Sequence, residues 1–482
     1  MTASNVRRAA GWAGLIVASF AAGSALMRAV LRGAPLWLAS DLAQPLPVVT
    51  AWHDFGTALL SVLCCTAGAA ALAYWMLLRA IDAGSAAERR ALLLLISLAS
   101  VIAGLLAILG PVIFSSDVYA YAAYGDLSVH ALNPYARMPI VLRDDILRAA
   151  IWQWGNPPPI SVYGPVFMWF ARAMVALFGA FGVAATLDAF RICSVLALPA
   201  CGLLAYAALQ GWSTRRRLVV AAGIALNPVA IWSASEGHND ALMLLVVLAG
   251  IIAWRRIGPF SGALIIACAA LVKAPGAAAG AALALFAWGN GQRKRFYKTL
   301  AGLCAGGAIV AILALPFEQG VVRVFIPQAH YAPEFSAQWL SYMFTLSVLP
   351  ASLPRFELGI AVALGACLLL FLRGARLQLR GDLRGLGWMA LGVWLVIPNA
   401  YPWYGLWILP IALVLFDVPI GKALVAASLG VILRYAPDAT RSDNLGLDLA
   451  VTLCEIAPAL IVAFWPSALR LPRTPAVEAA PR

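Results

Sequence analysis

Two short polar segments interrupt long apolar runs and hold residue types from which an active site could be made. They are Ser115-Ser116-Asp117 and Ser235-Glu236-Gly237-His238-Asn239-Asp240. A carboxylate at the junction of an apolar run and a loop sits at partial membrane depth, where it is costly unless paired or functional. Desolvation there raises a carboxyl pKa, which suits a general base working near neutral pH. Tyr119, Tyr121, Tyr124, Asp126 and His130 follow Asp117, several at spacings that share a helical face. The bland account of Asp117 is a solvated residue at a helix end. In the second segment, Asn239 or Asp240 is expected to cap the next helix. Capping leaves Glu236 and His238 unexplained. No metal-ligand spacing is present, and no metal is expected. Lys273 is a lone cation at the tip of a short apolar hairpin. It can offer charge to a phosphate at the membrane surface, or simply snorkel. Tyr401-Pro402-Trp403-Tyr404 reads as an interface belt, although such rings also stack on sugars.

These side chains need a scaffold, and composition says which kind. Of 482 residues, 63% are apolar and 11% charged, against about 25% charged in soluble domains. So few charges cannot coat a water-soluble protein of this size. Runs such as 56–78 and 91–113 are long enough to cross ~30 Å of hydrocarbon at ~1.5 Å per residue. The net charge of +13 is gathered in short clusters: Arg7-Arg8, Arg79 with Arg89-Arg90, Arg215–Arg217, Arg255-Arg256, Arg293–Lys298, and Arg373 to Arg384. That pattern sets membrane orientation. Without aromatic–basic interleaving or a recognisable module, nucleic-acid binding is excluded. The eight cysteines lie mostly in apolar runs with no CxxC spacing, and read as small core residues. The apolar run after Arg8 lacks a small-x-small cleavage site and reads as a retained first span.

If every basic cluster is cytoplasmic, an even number of crossings must separate neighbours. Runs 10–31 and 55–79, 218–235 and 239–254, and 259–274 and 276–289 pair accordingly. Three runs lie between Arg90 and Arg215: 91–113, 163–182 and 188–209. The middle one is therefore expected to lie in or re-enter the outer leaflet, and 337–350 likewise. The expected fold is an all-α polytopic membrane protein with about 14 spans and both termini inside. It forms a single membrane domain over 1–470, followed by a short disordered tail, 471–482. Loops 115–163, 317–338, 399–404 and 438–444 then face outward. Stretch 143–154 is expected as an interfacial helix. Arg191, Arg323 and His330 share the outer side with Asp117 and Lys273. No internal repeat is visible.

The segment Ser116-Asp117-Val118-Tyr119-Ala120-Tyr121, followed by Gly125 and Leu132-Asn133-Pro134-Tyr135, resembles the first outer loop of polyprenol-phosphate-mannose-dependent mannosyltransferases. The likeness is greatest to the bacterial α-1,6-mannosyltransferase group of actinobacterial lipoglycan synthesis. Tyr163-Gly164-Pro165, Asn227-Pro228, His238-Asn239-Asp240, Lys273-Ala274-Pro275 and Pro402-Trp403-Tyr404 occur in the same order as in that family, over roughly residues 110–410. The resemblance implies the GT-C membrane glycosyltransferase fold and a sugar carried on a polyprenyl monophosphate. It also implies an acidic residue of the first outer loop at the catalytic centre, a position that Asp117 matches.

On this reading Asp117, His238 and Asp240 are the catalytic candidates, with Asp240 fixing His238. Lys273, Arg323 and Arg191 are candidates for the donor phosphate. Tyr121, Tyr163, Glu236, Asn239, His330, Tyr401, Trp403 and Tyr404 are expected to line the substrate groove. The partners are a polyprenyl-phosphate sugar, a lipid or glycan acceptor, and membrane lipids, with no cofactor. The setting is the bacterial cytoplasmic (inner) membrane, with the site extracytoplasmic. Rival readings are a secondary transporter or lipid-linked sugar flippase, another transferase of lipid-linked aminosugars or pentoses, and a membrane scaffold. A transporter would place polar groups near the midplane, often between inverted repeats.

Overall fold

The computed structural model describes residues 3–31, 47–110, 112, 115, 117–142, 159–317, 334–398, 400–435 and 445–465. Arg323, His330, Ser116, Asn399, stretch 143–154, loop 438–444 and tail 471–482 lie outside the described residues, as does most of 317–338.

Among the described residues the structure is all-helical, with no strand. The helices run in chain order: α1 Ala3–Leu31, α2 Pro47–Ala80, α3 Ala86–Ile108, α4 Asp117–Val129, α5 Pro165–Phe178, α6 Val183–Ala208, α7 Thr214–Ala225, α8 Pro228–Ser235 and α9 Asp240–Arg256. They continue with α10 Pro259–Val272, α11 Ala277–Gly289, α12 Arg293–Ala314, α13 Ala337–Val348, α14 Arg355–Leu379, α15 Arg384–Val396, α16 Gly405–Val414, α17 Pro419–Gly430 and α18 Leu445–Phe464.

Eight segments are long and apolar enough to cross a membrane, and five further apolar helices are shorter. The expected count of about 14 full spans is therefore not reached among the described residues. Runs that look alike in sequence differ in helical length: α10, α11 and α15 hold only 14, 13 and 13 residues, or about 20 Å each at 1.5 Å per residue. The expectation for 163–182 agrees with the chain path. Helix α5 has 14 residues. Arg191 near the start of α6 donates to the carbonyls of Ile108 and Gly110 at the end of α3. The chain thus leaves α3 and enters α6 at the same end, so α4 and α5 together return it to the side from which it left. Helix α13, with 12 residues, is likewise too short to cross.

Local sequence sets several of these boundaries. Ser85 and Glu88 form a reciprocal capping box at the start of α3. Asn227 caps α8 by accepting from the Ala230 amide, and Pro228 fills the first helical position. This breaks the almost wholly buried apolar segment Thr214–Ser235 into α7 and α8. Close crossings use glycine: a Cβ on Gly262 would lie 2.4 Å from Trp254, and one on Gly302 would lie 2.3 Å from the Phe260 carbonyl. Small residues let helix backbones approach in lipid.

Two packed clusters result. The larger joins α1–α3, α6–α9 and α15–α18. The smaller surrounds α4, whose Val118–Tyr124 stretch is buried on every side by residues of α5, α6, α9 and α10. A helix buried all round is covered by protein and not by lipid. Only Cys201 and Cys367 of the eight free cysteines are buried. Cys64, Cys65, Cys304 and Cys454 are exposed on helix surfaces, which corrects their reading as core residues.

One contact fixes the loop that ends in Tyr163 against α10. Gly164 approaches the α10 backbone so closely that a Cβ would lie 2.0 Å from the Leu271 carbonyl oxygen. Gly164→Ala is expected to lower the thermal unfolding temperature in detergent, because overpacking a site closed by backbone costs about 1–3 kcal/mol. An unchanged melting temperature would show that the loop has room to move.

Candidate active site

Gly237 brings the two polar segments together. It turns the chain between α8 and α9 with φ +87°, and a Cβ there would lie 2.8 Å from the Val118 side chain. Only glycine meets both demands. The turn is held from behind by Arg191, which is buried and donates from Nε to the Ser235 carbonyl at 2.6 Å. Ser194 Oγ donates to the His238 carbonyl at 3.0 Å.

His238 then reaches the first residue of α4. Its Nδ1 lies 3.4 Å from Asp117 Oδ2. Tyr163 donates its hydroxyl to the same oxygen at 3.1 Å, and Tyr121 does so at 3.4 Å. The Asp117 amide donates to Ser115 Oγ at 3.1 Å. Asp117 is 8% exposed and His238 1%. Burial pushes the Asp117 carboxyl up, but His238, Lys273 and Ser115 together outweigh it and hold the carboxyl below its ordinary 3.8. The sequence-based expectation of a raised value is thereby corrected, because it counted desolvation without the neighbouring cations. Burial, then the Asp117 charge, holds the Tyr121 and Tyr163 phenols well above 10. Both therefore stay protonated and donate.

The Tyr163 loop is braced by the Asn133-Pro134-Tyr135 motif. Tyr135 donates its hydroxyl to the Tyr163 carbonyl at 2.6 Å, and the Ser161 amide donates to the Pro134 carbonyl at 2.8 Å. Asn133 donates to the Phe317 carbonyl.

Asp240 is fully buried and serves a different cation from the one expected. Its Oδ2 accepts from Lys273 Nζ at 2.8 Å, and its Oδ1 accepts from Trp407 Nε1 at 2.6 Å. Both its oxygens are thus taken by Lys273 and Trp407, so its assignment to fix His238 is corrected. The capping expectation for this turn is corrected too. Asn239 occupies the N-cap of α9 without a side-chain bond, and its buried amide finds no partner among the described residues.

His238 is fixed instead by aromatic rings. It stacks on Trp403 with centroids 3.7 Å apart, and Trp403 stacks on Tyr401 at 4.7 Å. Tyr404 stacks on Trp407 at 4.0 Å, and Lys273 Nζ lies 5.3 Å from the Tyr404 ring centre. The Tyr401–Tyr404 group is thus packed into the site. A cleft beside His238 is lined by Trp232, Ser233, Glu236 and Trp403 as well.

The structure brings together Asp117, His238, Asp240, Lys273, Tyr121, Tyr163, Glu236, Asn239, Tyr401, Trp403 and Tyr404. Arg191 is adjacent, but its guanidinium is committed to three carbonyls and to Asp188 at 3.1 Å. That leaves it a structural clamp without a free fork for phosphate. Sequence reasoning missed Trp407 and Ser115. The one available signal for Trp407 was its place one helical turn beyond Trp403 and Tyr404. No cluster of three or more metal-ligating side chains occurs among the described residues.

A family profile described as "Alpha-(1->6)-mannopyranosyltransferase, N-terminal domain" matches residues 9–289, and so contains Asp117, His238, Asp240 and Lys273. The chain belongs to this family. Within the alpha-(1->6)-mannopyranosyltransferase family it is similar to alpha-(1->6)-mannopyranosyltransferase A of Mycobacterium tuberculosis, with 28% identity over 76% of this chain and 73% of the relative. It is also similar to alpha-(1->6)-mannopyranosyltransferase B of Corynebacterium glutamicum, with 26% identity over 62% of this chain and 55% of the relative. This chain thus spans about three quarters of the first relative and about half of the second. No solved structure matches.

Two outcomes follow from the paired charges. A carboxyl held below its unfolded value stabilises the fold above that value, near 3.9, and the contribution fades as pH falls through the folded one. Asp117→Asn is therefore expected to unfold at lower temperature than the parent at pH 7, with the gap closing below about pH 4. A gap independent of pH would contradict the ionised state. Asp240→Asn leaves Lys273 without its anion, and breaking such a buried pair costs about 3–5 kcal/mol. The same melting experiment reads it.

Proposed function

We propose that this family member is a membrane mannosyltransferase that moves mannose from a polyprenyl-phosphate donor to a lipid or glycan acceptor. The reaction is assigned to the extracytoplasmic face of the bacterial cytoplasmic membrane, within the GT-C architecture that the sequence resemblance implies. The observation that carries the reading is the buried Asp117 carboxylate, ionised, beside His238, with Lys273 close enough to act on its charge. The names of the relatives support the sugar.

In the proposed step an acceptor hydroxyl gives its proton to Asp117 as its oxygen attacks the anomeric carbon. The bond from that carbon to the phosphate oxygen breaks on the opposite face, and the configuration inverts. A phosphate leaves without protonation, so one carboxylate suffices where glycoside hydrolysis needs two. What the leaving group needs is positive charge as its own charge develops. Lys273 supplies it: an ammonium has three donors, and Asp240 takes one. Asp240 acts as the positioning residue for Lys273, and the Tyr121 and Tyr163 hydroxyls orient the base. Tyr401, Trp403 and Tyr404 offer ring faces for a sugar, and Glu236 offers a carboxylate for its hydroxyls. Arg191 is left out of the donor site, because its nitrogens are already bonded.

Purified protein given radiolabelled polyprenyl-phosphate mannose and a mixed acceptor is expected to transfer label. Asp117→Asn should reduce transfer about 10²–10⁴-fold, the usual contribution of a general base, while still binding donor. Full activity in that variant ends the assignment of Asp117. Sidedness has its own test. A cysteine at exposed His130 should react with an impermeant maleimide in intact cells, and one at exposed Tyr297 only after permeabilisation.

A further inference from the structure

The end of the molecule opposite Asp117 carries a second unexplained cluster. Helix α9 begins at Asp240 and ends at Arg255 and Arg256, and α12 begins at Arg293, Lys294, Arg295 and Lys298. All six are exposed, and none makes an ion pair among the described residues. Arg255 donates to the carbonyls of Ala208 and Gln210, Arg256 to the Gln210 side chain at 3.1 Å, and Arg295 to that of Gln292 at 3.2 Å. Each of these acceptors is neutral. The sequence explains why: no Asp or Glu occurs between Asp240 and Glu318. Arg256 and Arg295 lie close enough to Arg255 to repel its charge.

Three other arginines at this end have carboxylate partners. Arg215 and Arg216 share Asp417 at 3.0 and 3.4 Å, and Arg384 binds Asp382 at 2.5 Å. Orientation by positive charge alone explains where all of them sit. It does not explain why six cations gather on two neighbouring helix ends with neutral acceptors alone.

Aromatic rings pack against two of these cations. Arg293 stacks over Trp288 at 3.5 Å and Arg295 over Trp254 at 4.8 Å, while Phe296 packs edge-on to Trp288 at 5.0 Å. Trp254 Nε1 donates to Thr299 Oγ1 at 2.9 Å, which locks α9 to α12 beneath the cluster. Exposed Tyr297 completes the rim. Indole and phenol rings settle at headgroup depth. Guanidinium forks recognise phosphate oxygens in pairs, and basic pockets between membrane helices take anionic headgroups.

We infer that Arg255, Arg256, Arg293, Lys294, Arg295 and Lys298 form a docking surface for the phosphate headgroup of an anionic phospholipid. The rings commit the surface to a lipid in place of a soluble phosphate, since they put the cations at the depth where headgroups lie.

Native mass spectrometry of the full chain, in micelles doped equally with phosphatidylglycerol and phosphatidylcholine, tests this. The expected result is preferential retention of phosphatidylglycerol. Each cation near an anionic surface contributes roughly fivefold, so the double variant R293Q/R295Q should lose ~25-fold in affinity. R384Q, whose arginine is already paired, should lose little. If R293Q/R295Q fails to fold, K294Q/K298Q reads the same surface from exposed lysines and should also lose affinity. Equal retention of both lipids, or loss in R384Q matching that in the cluster variants, overturns the inference. So does displacement of phosphatidylglycerol by millimolar glycerol 3-phosphate, which would make the ligand a soluble phosphate.

Discussion

A carboxylate removed from water must find its stabilisation in protein, and Asp117 shows how much structure that demands. Its oxygen is met by His238 and by two tyrosine hydroxyls from different parts of the chain. Each donor needs its own support. Tyr121 comes from the next turn of α4, Tyr163 from a loop tied to Tyr135, and His238 from a turn that only a glycine at 237 allows. The smaller core cluster exists around these residues. Its aromatic side chains exclude water from Asp117 while leaving the hydroxyls aimed at it.

A second buried pair, Asp240 with Lys273, lies beside the first. Lys273 lowers the Asp117 carboxyl pKa, so the two pairs act as one group of two carboxylates, a lysine and an imidazole ring. Breaking either pair leaves an unmatched charge in a place of low dielectric. This network stands on rigid parts: Asp240 opens α9, Lys273 closes α10, and Trp407 lies on α16. The aromatic column of His238, Trp403 and Tyr401 is held by the same helices. A site assembled from helix ends keeps its geometry better than one assembled from free loops.

Much of this site was legible in the sequence, and the reasons are physical. Asp117 and Tyr121 are four residues apart, so helical periodicity alone predicts their contact. His238 and Glu236 stood out because polar residues in an apolar chain are costly. The partner of Asp240 was not legible. Lys273 is 33 residues away, and only tertiary packing decides whether Asp240 meets that lysine or the nearby histidine. The pKa direction failed for the same reason, because burial can be guessed from an apolar context and neighbouring cations cannot. All-α membrane character followed from composition. Composition alone does not fix the number of full crossings, because apolar residues mark helices inside protein as well as helices in lipid. Helix α4 is the plainest case: its sequence is polar enough to suggest a loop, yet protein surrounds it completely. The even-crossing rule requires the chain between α3 and α6 to return to one end, and the Arg191 contacts with the end of α3 agree with that.

The two ends of α9 and α10 show one constraint resolved in opposite ways. At the Asp117 end, the charges have little access to solvent and are matched by other side chains within about 3 Å. At the Arg255 end the charges are exposed, and water or headgroups can neutralise them, so the fold does not require internal anions. A pair such as Arg215 with Asp417 at that end therefore reflects local packing between α7 and the segment before α17, and not a general need. Carboxylates are absent from the whole stretch that joins these ends, from α9 to α12. This keeps the field along the four helices directed from one end to the other. An acidic residue in that stretch would weaken the positive-inside signal and compete with Asp240 for Lys273. The spacing of charge thus serves orientation and the site together.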